Sequence, residues 1–213
     1  EILTCDWSSD VCSSDLGHVT LPFVKPEVWF PHLPNWAFIA LICLVTTASA
    51  NGANFTDGLD SLVSVPLITT ALFAGVVAYI SGNAIFAKYF LIPYIPGGDD
   101  LFPVCTAIIG AMLAYLWYNS PPAEIYMGDA GSIGLGGAIG IMFVLLRIEL
   151  FLPIVGAVLV AEALSVLLQI TGFKFTRRFS SDGQGRRLFL RAPLHHHYQM
   201  KWKGNFDSPQ ALN

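Results

Sequence analysis

Residues 62–80 read LVSVPLITTALFAGVVAYI and carry no charged side chain over their whole length. A helix needs about 20 consecutive apolar residues to cross a bilayer core, so this stretch predicts a membrane-spanning helix. Four similar apolar runs lie near residues 36–53, 101–118, 133–146 and 150–171. No run alternates as a barrel strand would, and backbone groups in hydrocarbon must be hydrogen-bonded internally. We therefore expect an all-α fold, a polytopic membrane helix bundle with five transmembrane helices.

The composition excludes most other classes of protein. Charged residues make up 12% of the 213-residue chain, well below the roughly 25% of soluble domains. The net charge is -4 and no basic stripe adjoins an aromatic platform, so we expect no nucleic-acid partner. Cys43 and Cys105 lie in apolar runs, where a reduced thiol behaves as a small hydrophobe. A secreted disulfide scaffold is therefore excluded as well.

The first sixteen residues differ from the rest of the chain. Ser8-Ser9-Asp10-Val11 is echoed by Ser13-Ser14-Asp15-Leu16, and the basic and apolar regions of a signal peptide are missing. We expect residues 1–16 to be a foreign or mistranslated leader, and residues 17–213 to belong to one membrane domain.

Basic residues are sorted to one side of the predicted membrane. When the five spans are followed in turn, the segments 51–61, 119–131 and 172–213 fall on one face. That face holds eight of the eleven Lys and Arg residues, and the other face holds the remaining three. Cytoplasmic loops carry an excess of Lys and Arg, so we expect all three segments to be cytoplasmic loops.

The loop 51–61 has a carboxamide or carboxylate at every third position, at Asn51, Asn54, Asp57 and Asp60. A continuous α-helix would spread this series over half its circumference. Gly52 and Gly58 instead favour a broken or tightened helix end, where the side chains could converge on a ligand or a hydrated cation. Asn and Asp also favour helix caps and turns, and that alternative stays open for any one of the four.

Asp129 lies between glycines in the second loop, just before an apolar run begins. A carboxylate at a helix N-terminus is favoured by the helix dipole, which is one explanation. The other is a Mg2+ ligand, because Mg2+ prefers one or two carboxylates together with substrate phosphates.

The tail contains three adjacent histidines, in the stretch RAPLHHHY at residues 191–198. Successive side chains of a helix point about 100° apart, so the three cannot all face one metal. Beside Arg186, Arg187 and Arg191 the imidazoles could instead receive a phosphate or an anionic lipid head group. The alternative is a solvated basic segment next to the membrane.

Two acidic features lie outside these loops. Glu162 falls inside the fifth predicted span, where a carboxylate indicates either an interhelical hydrogen bond or a functional role. Asp99 and Asp100 follow Gly97-Gly98 on the opposite face, and we expect a solvated loop there.

The three polar segments together resemble the phospho-N-acetylmuramoyl-pentapeptide transferase family. The resemblance rests on Asn-x-x-Asn-x-Thr-Asp-Gly-Leu-Asp at 51–60, Met-Gly-Asp-x-Gly-Ser at 127–132 and Ala-Pro-Leu-His-His-His at 192–197. It implies a Mg2+-dependent enzyme of the bacterial plasma membrane that acts in peptidoglycan synthesis. Its substrates would be UDP-N-acetylmuramoyl-pentapeptide and undecaprenyl phosphate, and its products lipid I and UMP. Phosphoryl-type transfer depends mainly on positioning and charge neutralisation, so such a donor set suits it.

The resemblance also implies the role of each residue. Asp129 would be the Mg2+ ligand, and Asp129, Asp57 and His196 would be catalytic. The expected substrate-binding residues are Asn51, Asn54, Asp57, Asp60, Asn119, Tyr126, Gln169, Ala192, His195, His196 and His197.

The chain also departs from the family, whose members have about ten spans, an upstream Asp pair and lysine, and a further final span. We therefore expect a fragment truncated at both ends that is inactive by itself, whereas the intact protein would be an active transferase. A related N-acetylglucosamine-1-phosphate transferase is the main alternative. A transporter would need ionisable residues at several membrane depths or inverted repeats, which the sequence does not show. Formation of a homodimer is left open.

Overall fold

The computed structural model describes residues 34–90, 92–179, 185 and 187–206, with the backbone alone for 203–206. The predicted leader, residues 1–16, lies outside the described residues. Within them the fold is all-α, as predicted, and contains no strand. Its helices are α1 (Asn35–Thr56), α2 (Ser64–Ser81), α3 (Ala84–Phe90), α4 (Leu101–Tyr118), α5 (Gly128–Leu145), α6 (Leu152–Val155), α7 (Ala157–Phe179) and α8 (Leu194–Phe206).

Five of these helices, α1, α2, α4, α5 and α7, are long and apolar enough to cross a membrane. The predicted number of spans is therefore confirmed. Much of their apolar surface is exposed in the bundle, as lipid-facing surface would be; examples are Leu44, Val65, Leu72, Leu113 and Leu167.

The helices α1 and α5 pack together along a strip of small residues. A Cβ atom at Gly136 would lie 2.6 Å from the Cβ of Ala53, and one at Gly140 would lie 3.0 Å from the Cβ of Ser49. The Ser49 hydroxyl donates a 2.7 Å hydrogen bond to the Gly136 carbonyl. The two helices therefore approach closely because residues 136 and 140 are glycines. At Gly134, in contrast, an added Cβ would meet nothing within 4 Å.

A second contact joins α2 to α4 and α5 through larger side chains. Leu67, Met112, Ile139 and Phe143 are almost completely buried in this core. The Phe73 ring packs between Phe143 and Phe151, with centroid distances of 6.1 and 5.7 Å. Together the two contacts fix the ends of α1, α2, α4 and α5 relative to one another.

Two of the expected loops are partly helical. α1 continues to Thr56, so Asn51 and Asn54 lie in its last turns rather than in a loop 51–61. α5 begins at Gly128 instead of near 133, so Asp129 lies in its first turn. Hydropathy detects the apolar part of a helix, whereas the hydrogen-bonded turns continue into polar sequence.

The fifth span, predicted as one run over 150–171, is divided. A 3₁₀ turn (Glu149–Phe151) and the short α6 precede α7, with a break at Gly156. Pro153 at the start of α6 and Gly156 after its end account for the interruption. α7 then runs to Phe179, so the tail 172–213 also begins as helix.

Glu162 lies in the second turn of α7, which is one of the five helices long and apolar enough to cross a membrane. The predicted position of this carboxylate within the fifth span is therefore confirmed. The carbonyl of Leu159, one turn earlier in α7, packs against Gly52 near the end of α1, at 2.9 Å from where a Cβ would stand. This contact places the first turns of α7 beside the last turns of α1.

The tail folds back along α7. The Gln169 side chain accepts hydrogen bonds from the backbone N–H groups of Leu188 and Phe189 at 3.2 and 2.9 Å. Leu188 packs on Gly172, where a Cβ would come within 2.6 Å of its side chain. This path carries the chain to α8, whose first turn contains all three histidines.

Candidate functional site

All three polar segments meet at one end of the bundle, which we call the site end. The backbone N–H of Ala123 donates to the Asp60 carboxylate at 3.3 Å, which joins the first segment to the second. Gly58 packs directly against the His195 imidazole, which joins the first to the third. Side chains from residues far apart in the sequence therefore surround the turn 57–61.

Asn119 holds the first two segments together and is 2% exposed. Its Oδ1 accepts the Ser61 N–H at 2.7 Å, and its Nδ2 donates to the Ile125 carbonyl at 2.8 Å. The Ser61 hydroxyl donates to the Asn119 carbonyl at 3.0 Å, and Ser61 has a positive φ of 66°. The amide expected to bind substrate is thus already used by protein contacts, and it fixes a strained turn.

Tyr115 is a member of the site that the sequence analysis missed. Its hydroxyl accepts the Met127 N–H at 3.1 Å and lies within electrostatic range of Asp57 and Asp60. The signal was available, since Tyr115 precedes Asn119 by one helical turn and so shares its face of α4.

Asp57 and Asp129 form a pair of interacting carboxylates. Asp57 caps the end of α1, where its N–H bonds to the carbonyls of Ala53 and Asn54, and Asp129 lies in the first turn of α5. Burial, and next the negative charge of Asp129, raise the pKa of Asp57 above its ordinary value. A cation placed between the two side chains would relieve this repulsion.

The chemistry of this pair fits the magnesium ion that the sequence implied. Two carboxylates are hard oxygen donors, and Mg2+ is commonly held by one or two of them with substrate phosphates completing its shell. No cluster of three or more His, Cys, Asp or Glu side chains that could enclose a metal is found among the described residues. Asp129, with Asp57 beside it, would hold such an ion.

The three histidines have three different environments. His195 is buried, with 8% of its surface exposed, whereas His196 is half-buried. Nδ1 of His196 lies 3.3 Å from Oε1 of Gln199. His197 accepts the Leu190 N–H through Nδ1 at 3.2 Å. The three do not converge on one point, in agreement with the helical geometry used above.

His195 lies against Glu162. Its backbone N–H donates to the two carboxylate oxygens at 3.1 and 3.4 Å, and its Nδ1 is 3.3 Å from Oε2. The 3.3 Å contact would be an ion pair only with a protonated ring, and neither ring nitrogen makes a hydrogen bond with a partner among the described residues. Burial lowers the pKa of His195, which Glu162 opposes and His196 reinforces.

The other expected residues are distributed around this centre. Tyr126 is 70% exposed at the site end, and Ala192 and Asn54 are half-buried. Asn51 donates back to the Thr47 carbonyl within α1. Gln169 holds the returning tail, as described above, so the contacts of its side chain are with the protein.

The Asp99–Asp100 pair lies at the opposite end of the bundle. It forms a 3₁₀ turn (Gly98–Asp100) at the wall of a cavity of about 440 Å³. The cavity is lined by Tyr79, Gly82, Asn83, Asp99, Asp100, Phe102 and Pro103. The pair is thus part of an ordered wall and, as the sequence predicted, lies away from the other motifs.

In a comparison with protein families, residues 10–147 match the model described as glycosyl transferase family 4. The matched region covers well over half of the chain, begins inside the predicted leader, and includes Asp57, Asn119 and Asp129. It ends before Glu162 and the histidine motif, which the structure nevertheless brings against the matched part. The chain belongs to glycosyl transferase family 4 and is, in general terms, a phospho-sugar transferase with membrane-spanning helices.

Proposed function

We propose that the protein transfers phospho-N-acetylmuramoyl-pentapeptide from its UDP-linked form to undecaprenyl phosphate, which yields lipid I and UMP in peptidoglycan synthesis. The observation that carries the proposal is the meeting of the turn 57–61, Asp129 and the histidine motif at one end of the bundle. The resembled N-acetylglucosamine-1-phosphate transferases normally interrupt this histidine run, so the uninterrupted His195-His196-His197 favours the muramoyl-pentapeptide substrate.

In this proposal the protein acts mainly by positioning charged groups. Asp129 would bind Mg2+, with Asp57 beside it, and the ion would neutralise the diphosphate of the nucleotide. Asn54, Asp60 and Tyr126 would line the uridine and sugar pocket. His196 would present an imidazole to a phosphate, since it is less buried than His195.

The other two expected contacts, Asn119 and Gln169, act indirectly in the proposal. Both side chains are occupied by backbone groups, so they shape the pocket by holding the turn 57–61 and the returning tail. Asn119 is also 2% exposed, so its side chain has little surface left to offer a nucleotide.

The proposal places the site end on the cytoplasmic side of the bacterial plasma membrane. There a soluble nucleotide could meet the phosphate of a lipid anchored in the bilayer. The excess of Lys and Arg in the segments at this end supports that orientation.

The test is Mg2+-dependent binding of two nucleotides to the purified chain, in nanodiscs that contain undecaprenyl phosphate. We expect UDP-N-acetylmuramoyl-pentapeptide to bind more tightly than UDP-N-acetylglucosamine by isothermal titration, and Mg2+ removal by a chelator to abolish the binding. Tighter binding of UDP-N-acetylglucosamine would transfer the assignment to the related hexosamine-phosphate enzyme. Binding of neither nucleotide would overturn the proposal. UMP release from each donor by the intact protein is the corresponding measure of turnover, since this chain is expected to be inactive by itself.

A further inference from the structure

Glu162 contacts the histidine motif through its main chain as well as its side chain. Both carboxylate oxygens receive the His195 N–H, at 3.1 and 3.4 Å, and Oε2 lies 3.3 Å from the ring. The Glu162 and His195 side chains are 7% exposed or less, so water competes little for these contacts.

A second contact from α7 strengthens the first. The Ser165 hydroxyl accepts the Leu194 N–H at 3.1 Å and donates to the Glu162 carbonyl at 2.7 Å. Leu194 and His195 are the first two residues of α8, and the first N–H groups of a helix have no partner within it. Two side chains of α7 therefore cap α8 and fix where it begins.

The His195 ring continues this chain of contacts into the first polar segment. A Cβ atom at Gly58 would overlap Nε2 and Cε1 of His195, so the ring occupies the space that a side chain at residue 58 would need. Gly58 lies between Asp57 and Asp60, and any shift of the ring must be transmitted to the turn that carries both carboxylates.

We propose that Glu162 is a positioning residue: by holding His195 against Gly58 it sets the position of the turn that carries Asp57 and Asp60. The proposal rests on the proposed function only for the statement that this turn binds the nucleotide. Glu162 itself touches no reacting atom. The clasp formed by Glu162, His195 and Gly58 links the tail, which lies outside the matched family region, to the segment inside it.

The decisive experiment measures hydrogen exchange in two separate peptides, one covering the turn 57–61 and one covering 192–198. In Glu162→Ala we expect exchange in both peptides to rise by about tenfold or more, because hydrogen bonds to a charged group are lost at a buried site. Nucleotide affinity should fall by about tenfold as well. Faster exchange in 192–198 with an unchanged turn would overturn the proposal, since Glu162 would then only cap α8.

Two further variants keep the test interpretable if Glu162→Ala folds poorly. Glu162→Gln retains a carbonyl oxygen for the His195 N–H, so we expect slow exchange in 192–198 and a rescue of most of the affinity. Glu124→Gln changes an exposed carboxylate of the neighbouring loop and should alter neither peptide. An affinity loss in Glu124→Gln equal to that in Glu162→Ala would assign the effect to net charge and contradict the clasp.

A pH profile separates positioning from simple packing. The groups that act on the His195 ring are Glu162 of α7 and His196 of α8. Loss of the Glu162 charge should shift the carbethoxylation profile of His195, read by mass spectrometry, to lower pH, while His196 keeps its own profile. An unshifted profile would show that the carboxylate does not act on the ring. If wild-type protein binds no nucleotide, the proposed function fails, whereas the exchange and pH results still decide the clasp.

Discussion

The two ends of the bundle contain the same kinds of acidic residue but hold them differently. At the site end, Asp57 and Asp129 come from different helices and interact, and Glu162 lies against His195. At the opposite end, Asp99 and Asp100 are neighbours in the sequence, and Glu149 is 1% exposed with no hydrogen-bond partner for either oxygen among the described residues. Carboxylates are thus organised by distant partners at one end and by local turns at the other.

The two buried glutamates show the difference most clearly. Glu162 receives the His195 N–H and lies beside the His195 imidazole. Burial raises the pKa of Glu149 to about 7, against lowering effects of its own backbone and of Arg147. Within the described part of the chain, Glu149 therefore lacks the side-chain partners that Glu162 has, and a buried charge is tolerated only where partners replace water.

The largest difference between the ends should appear in nucleotide binding. Asp129→Asn and Asp57→Asn each remove a carboxylate from the interacting pair, and we expect either to abolish detectable Mg2+-dependent binding, since even outer partners of a metal site are worth about 10–100-fold. Asp99→Asn and Asp100→Asn are the matched controls at the opposite end and should bind normally in the same titration. Equal losses at both ends would mean that the comparison is wrong.

The next effect is a pH dependence caused by Glu149. Its pKa is about 7 in the folded protein and 4.5 in an unperturbed chain, so folding takes up a proton between these values. Its contribution is complete below pH 4.5 and is lost as the pH rises to about 7, by about 3 kcal/mol in the free energy of unfolding.

Glu149→Gln isolates this effect in thermal unfolding curves recorded across that pH range. His195 acts in the opposite sense, because its lowered pKa makes the folded state lose stability as the pH falls below 6.5. We expect the variant to keep the loss of stability at low pH that His195 causes. The fall in stability as the pH rises to about 7 should disappear. An unchanged profile would show that Glu149 is not the group responsible.

Smaller effects on the free energy of unfolding are expected from replacing one asparagine at each end of the bundle. Asn119→Ala removes two side-chain hydrogen bonds at the site end and leaves the Ser61 N–H unpaired, which should cost about 2 kcal/mol of unfolding free energy. Asn83→Ala at the opposite end removes the cap of α3, where Oδ1 accepts the N–H groups of Ile85 and Phe86. We expect about 1 kcal/mol there.

Chemical denaturation of the two variants in detergent measures both costs. Nucleotide titration should then separate them, because only Asn119→Ala disturbs the turn 57–61. A weaker affinity in Asn83→Ala would instead indicate that the two ends are coupled through the helices.

Much of the helical framework could be predicted because hydropathy is a local property. The apolar runs around Leu67 and Ile139 could be recognised from their own residues, without knowing which helices they pack against. Helix ends were less predictable: Thr56 and Gly128 end and begin helices within polar sequence, where hydropathy carries no signal.

The site was predictable as a set of residues but not as a set of contacts. The spacing of Asn51, Asn54, Asp57 and Asp60 identified a polar helix end, whereas nothing in it indicated that Asn119 would bond to Ser61. Glu162 was correctly placed in the fifth span, but its contact with His195 was not predictable, because that contact depends on how the tail folds back along α7.

The sequence by itself determined the membrane class, the number of spans and the sorting of polar motifs to one face, since each follows from side-chain chemistry summed along the chain. Only the tertiary structure decided which carboxylates interact, which glutamate has a partner and why residue 58 is glycine. Those outcomes depend on distances between segments far apart in sequence, and close packing of α1, α5 and α7 sets such distances.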